Sequence, residues 1–151
     1  MSEKARVALV TGSGKKRVGW FVADALAKAG FDLAVHYRTS KEEAGETVEH
    51  LRGQGGQAEA FGADLAREDE AEALVSRVVE RFGRIDLAVN CAAIWSPKRL
   101  EAVKADDLRR YFDVNVLGTF LVGRSAGLAM VGQTQGGCVV NFGDWAEARP
   151  Y

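Results

Sequence analysis

The chain has 151 residues, 47% of them hydrophobic and 27% charged, with a formal net charge of −1. That length suffices for one domain with a sizeable core, and the near-neutral balance supplies no broad basic field of the kind that binds nucleic acid. No unbroken apolar run approaches the ~20 residues of a membrane span, and the N-terminal residues lead into an apolar segment without a signal sequence, so a cytoplasmic protein is expected, bound to neither membrane nor nucleic acid.

Val7, Ala8, Leu9 and Val10 read as a strand buried on both faces. From Val18 the spacing turns helical, with Val18, Phe21, Val22, Ala25, Leu26 and Ala29 on one face and Gly30 as the stop. Between them lie Gly12, Gly14 and Gly19, which do not form the dinucleotide fingerprint GxGxxG. A glycine there serves either a tight turn with positive φ or the close approach of a pyrophosphate to the helix N-terminus. Lys15, Lys16 and Arg17 favour the anion, because three cations at that end oppose the helix dipole.

Phe31–Tyr37 reads as a second strand, and Ser40 with Glu43 has capping-box spacing before a helix that carries Ala44, Val48 and Leu51. Gln57–Gly62 is a short third strand. Leu74, Val75, Val78, Val79 and Phe82 mark the next helix, whose start bears Glu68, Asp69 and Glu70. Ile85–Cys91 is a fourth strand. A long helix follows, with Leu108, Phe112, Asn115, Thr119 and Phe120 on its expected core face and a break expected near Gly123 or Gly127. Val139–Phe142 is the fifth strand.

Alternation of this kind predicts an α/β fold, a parallel sheet with helices on both faces. Right-handed crossovers favour a doubly wound strand order of 3-2-1-4-5, with ligands at the carboxyl ends of strands one and four. Cys91 and Cys138 then fall at opposite ends of neighbouring strands, about 10 Å or more apart at ~3.3 Å per residue, too far for a disulfide. Two histidines, His36 and His50, make no metal pattern and are expected at the surface.

Gly12, Arg38, Asp64, Asn90 and the Asn141–Asp144 group all gather at one edge of that sheet. Arg38 stands where an NAD-selective site carries a carboxylate, and an arginine there suits a 2′-phosphate, unless it is merely solvated. Thr39 and Ser40 add hydroxyl donors. Asn115 either braces the fourth strand or organises a proton-relay water. Asp144 is either a turn aspartate or, beside Trp145 in a cleft, a carboxyl whose raised pKa makes it a proton donor.

Together, Val10-Thr11-Gly12 with Gly19, Asp64-Leu65, Asn90-Cys91-Ala92-Ala93 and Asn115-Val116-Leu117-Gly118 resemble the short-chain dehydrogenase/reductase family, over nearly the whole chain. Within it, Arg17-Val18-Gly19, His36-Tyr37-Arg38-Thr39-Ser40 and Asn141-Phe142-Gly143-Asp144 are most similar to the pteridine reductases. The resemblance implies a Rossmann-type NAD(P)-binding domain over residues 1–151, in three αβα layers. It implies NADPH rather than NAD as cofactor, held by Gly12, Lys16, Arg17, Val18, Gly19, Tyr37, Arg38, Thr39, Ser40, Asp64, Leu65, Asn90, Cys91, Ala92 and Ala93. Arg17, Asn115 and Asp144 become catalytic candidates, and Trp95, with Asp144, the support for a small planar substrate. No metal is implied.

Three departures accompany it. The glycine loop is one residue longer than the family pattern, Cys91 replaces an asparagine and Ala93 a glycine. The family's Tyr-x-x-x-Lys pair belongs on a helix beyond Tyr151, so the C-terminal part of the fold is expected to be missing and the segment by itself nearly inactive. Tyr37 and Lys41 match that pair by letter, but they lie on the phosphate side. The complete enzyme is expected to be a dimer or tetramer. Alternatives are a 3-oxoacyl or sugar/alcohol reductase of the same family, or a non-catalytic dinucleotide-binding module.

Overall fold

The computed structural model describes residues 5–144, 148 and 149. Five parallel strands, β1 (Val7–Thr11), β2 (Asp32–Tyr37), β3 (Ala58–Gly62), β4 (Leu87–Asn90) and β5 (Cys138–Asn141), form one sheet in the order β3-β2-β1-β4-β5. This is the predicted doubly wound, Rossmann-type order. Helices α1 (Val18–Lys28), α2 (Lys41–Arg52) and α3 (Glu68–Phe82) connect the first four strands. Between β4 and β5 run α4 (Ala105–Phe112), a wide π-type turn over Asp113–Leu117, and α5 (Gly118–Val131).

β1 is buried along its whole length, as expected for a strand covered on both faces. Alternate residues feed two cores. Val7, Leu9, Ala34, Leu74, Val78 and Val122 pack with α3 and α5. Ala8, Val10, Leu33, Val35, Ala23 and Leu51 pack with α1 and α2. At the amino edge, Arg84 grips Asp86, whose carboxylate accepts the Val7 N–H at 2.8 Å. Gln133 bonds both the N–H and the C=O of Ile85, tying the end of α5 to the start of β4.

Two expected helix faces are corrected. On α1 the residues turned to the sheet are Gly19, Ala23 and Ala27, while Val18 and Phe21 are exposed. Small residues at i, i+4 and i+8 let the helix axis approach the sheet, while Val22 and Leu26 of the expected face are partly buried and pack against the same core. Along this segment the buried residues are Val114 in the wide turn and Gly118, Leu121, Val122, Ala126 and Met130 on α5, with none on α4. Leu108, Phe112 and Phe120 are exposed, because the wide turn at Asp113–Leu117 rephases the helix. The irregularity lies there, not at Gly123 or Gly127. The whole segment Ala105–Val131 is long and apolar enough by composition to cross a membrane, although charged residues interrupt it and one side of it covers the sheet.

The strand register pairs Cys138 with Leu87, which places Cys91 and Cys138 toward opposite ends of β4 and β5 as expected. Both thiols are free.

Candidate functional site

The β1–α1 turn is fastened from three directions. Gly12, with φ +67°, needs no side chain: an added Cβ would stand 2.9 Å from Ala92 Cα. Ser13 and Gly14 both donate their N–H groups to the His36 carbonyl, at 3.1 and 3.2 Å. The Thr47 hydroxyl donates to the Gly14 carbonyl from α2. Gly19 then lets α1 start directly under the turn, since a Cβ there would meet the Gly12 oxygen at 2.8 Å.

His36 also departs from the sequence reading. It is buried rather than superficial. Its Nδ1 accepts the Gly12 N–H at 3.0 Å and its Nε2 lies 3.0 Å from the Ala63 carbonyl, so Nε2 carries the proton. Burial, aided by the Arg77 charge, pushes its pKa down to about 4, against the opposing pull of the Ala63 carbonyl and Asp64. The ring is neutral and joins the glycine turn to the end of β3. A polar residue inside a strand of continuous burial was the available signal, because such a group must find partners. His50 is exposed, and its Nε2 lies 2.7 Å from Asp24.

Thr11 does the corresponding work toward β4. Its hydroxyl accepts the N–H groups of Cys91 and Ala92, both at 3.0 Å. The carboxyl ends of β1, β2, β3 and β4 are thereby locked together around one cavity of about 320 Å³. Of the residues expected to bind cofactor, Gly12, Arg17, Val18, Gly19, Tyr37, Arg38, Ser40, Asp64, Leu65, Cys91, Ala92 and Ala93 line it. His36 and Ile94 line it as well, without having been expected, and so does Lys15, one of the three cations read at the turn.

The remaining candidates lie elsewhere. Lys16 sits over the Trp20 ring at 5.1 Å, in a depression between α1 and α2, so the cleft-lining lysine is Lys15. Lys15 is itself paired with Glu43 at 3.0 Å. Thr39 is exposed beside the cavity and not among its lining residues. Asn90 is buried behind it, donating to Asn141 Oδ1 at 2.8 Å. Its own Oδ1 has no partner among the described residues. The Cys91 thiol is half-buried, and burial pushes its pKa up.

Asn115 is spent on the loop after β4. Its Oδ1 accepts the Ile94 N–H at 2.8 Å and its Nδ2 donates to the Ile94 carbonyl at 3.0 Å. The side chain therefore braces a loop rather than β4 itself. Trp95, 75% exposed, lines a second cavity of about 290 Å³ with Arg17, Ala93, Ile94, Ser96, Asp107, Arg110 and Tyr111. Arg17, Ala93 and Ile94 belong to both cavities, which therefore adjoin. Asp144 is exposed just past β5 and lines neither. Trp145 and Tyr151 lie outside the described residues.

A cleft at the point where the strand order reverses, floored by a glycine turn and a helix N-terminus, defines a Rossmann-type domain with a candidate nucleotide site. The family model for short chain dehydrogenases matches residues 6–150, and the chain belongs to that family. A 3-oxoacyl-[acyl-carrier-protein] reductase of Synechocystis is 35% identical over 132 residues, which are 87% of this chain and 53% of that protein. Acetoin dehydrogenase from Enterobacter cloacae superposes with a TM-score of 0.91 at 34% identity, covering 100% of this chain and 59% of its own. A short chain dehydrogenase from Burkholderia cenocepacia in complex with NADP superposes with a TM-score of 0.89 at 32% identity, covering 97% and 58%. The chain thus spans little more than half the length of these relatives.

Proposed function

We propose that the chain is the cofactor-binding part of an NADPH-dependent reductase acting on a C=O or C=N bond of a small planar, pteridine-like substrate. The observation that carries the cofactor choice is Arg38. It lines the cleft at the end of β2, where NAD selectivity requires a carboxylate, and among the described residues its guanidinium has no ion pair or hydrogen bond. The residues present fit a dinucleotide. No acidic residue stands in the first turn of α1 and no side chain caps it, so its leading N–H groups and Arg17 are available to an anion. The α2, α3 and α4 starts, in contrast, all carry acids.

In this reading Arg38 and Ser40 hold the 2′-phosphate, Asp64 and Leu65 bound the adenine, and Cys91–Ala93 line the nicotinamide side. Bound NADPH supplies the hydride. Arg17 steadies the pyrophosphate and the substrate together, because it belongs to both cavities. Trp95 offers a flat apolar face to a planar ring. Asn115 keeps the nicotinamide-side loop in place through Ile94, and Asp144 assists protonation from the end of β5. The relatives crystallised with NADP and NADPH support the cofactor choice.

The test is titration with NADPH and NADH, followed by nucleotide fluorescence. NADPH binds at least tenfold more tightly, and Arg38→Ala removes that preference. Equal binding of the two nucleotides, unchanged in Arg38→Ala, refutes the reading. A 3-oxoacyl reductase is the second reading, favoured by the similarity to the Synechocystis protein. An acyl thioester rather than a pterin would then accelerate NADPH oxidation by the parent protein.

A further inference from the structure

Charge in the Trp95 cavity is unbalanced. Its wall carries two guanidinium groups, Arg17 and Arg110, and one carboxylate, Asp107. That carboxylate is already committed, accepting from Lys98 Nζ at 2.5 Å and from the Lys104 N–H at 2.8 Å. These contacts hold its carboxyl below the usual range, the Lys98 bond contributing most. Arg17 and Arg110 have no side-chain hydrogen bond or ion pair among the described residues. The other acid on α4, Asp106, is paired with Arg109.

The wall that presents them is fixed. The Tyr111 hydroxyl accepts the Ser96 N–H at 3.1 Å and lies 2.8 Å from the Ser96 hydroxyl, which closes the loop carrying Trp95 against α4. Two like charges lining one cavity repel. An oxyanion entering between them removes the repulsion, and a guanidinium binds carboxylate or phosphate through two parallel N–H donors.

We infer that the substrate carries an oxyanion, a carboxylate or phosphate, which Arg110 and Arg17 bind beside Trp95, with Arg110 selecting for it. This rests on the reductase reading above and narrows its substrate class from planar carbonyl or imine compounds to anionic ones. Arg17 is shared with the cofactor cleft, whereas Arg110 belongs to the substrate cavity alone. Arg110 is therefore the residue whose removal separates the two.

The experiment is calorimetric titration of the protein saturated with NADPH, using matched probes: acetoacetate against its methyl ester, and pterin-6-carboxylate against pterin. Inorganic phosphate serves as a competitor that distinguishes a general oxyanion site from a carboxylate-specific one. At least one acid binds tenfold or more tightly than its neutral counterpart. Arg110→Gln abolishes that difference and leaves the affinity for NADPH within twofold. Equal binding within both pairs, failure of both acids to bind, or a preference that survives in Arg110→Gln overturns the inference while leaving NADPH binding intact. Failure to bind NADPH overturns the reductase reading, and this inference with it.

Discussion

The Gly12 N–H donates to His36 Nδ1 at 3.0 Å, across the gap between the first turn and the second strand. Nothing else of the imidazole is left over, since Nε2–H is given to the Ala63 carbonyl. A single neutral ring therefore sets the spacing between the glycine turn and the loop that begins at Ala63.

Acid should loosen this arrangement. The folded ring has its pKa near 4, below the 6.5 of a free histidine, so the unfolded chain binds the proton first. The stabilisation is fully present above about pH 6.5 and is lost as the pH falls toward 4. Between pH 7 and pH 5 the loss from this residue is about 2 kcal/mol. Urea midpoints measured at the two pH values check it, with His36→Asn, which keeps one acceptor and one donor, showing a flatter dependence. An unchanged slope in His36→Asn would assign the acid sensitivity to another group.

Glycines in this chain divide by what lies beyond the missing Cβ. Gly19→Ala drives a methyl group against the Gly12 carbonyl oxygen at 2.8 Å, and backbone cannot step aside cheaply. We expect a loss of about 1–3 kcal/mol and weaker nucleotide binding. Gly45 and Gly127, inside α2 and α5, have nothing within 4 Å. Replacing either with alanine should raise stability by about 0.5–1 kcal/mol. Thermal melts of the three variants show opposite signs if the packing is as described.

Asn115→Ala leaves the N–H and C=O of Ile94 without their partner. Amide exchange at Ile94 should accelerate markedly while the amides of β1 keep their protection. The global cost is about 1–3 kcal/mol, that of an unsatisfied polar pair. Rapid exchange confined to the loop after β4 distinguishes a brace from a residue that supports the whole sheet.

Leu108, Phe112, Val116 and Phe120 form an exposed apolar line along α4 and α5, each more than half accessible. An apolar line of this size favours self-association. Phe120→Asp, with Phe112→Asp as a second variant, should shift the sedimentation coefficient toward that of a monomer and leave the circular dichroism unchanged. A wild-type chain that sediments as a monomer at high concentration contradicts it.

Strand order and the position of the cleft were legible because they follow from local signals. Continuous apolar runs can only be strands covered twice, helices must cross over right-handedly, and the reversal of order leaves one crevice. Most residues lining that cleft were named from the family resemblance, and they sit within a few positions of a strand's carboxyl end. Which faces the helices bury was decided by the tertiary structure. Gly19, Ala23 and Ala27 win on α1 because close approach to the sheet favours small side chains over large ones, and one wide turn at Asp113–Leu117 rotates the apolar line of α4 and α5 outward. The cleft-lining position of Lys15 rather than Lys16, the neutral bridge of His36, and the placing of Arg17 and Arg110 along one cavity depend on how residues far apart in the chain are brought together. Periodicity carries no information about such pairs, because it records only which side of its own element a residue occupies.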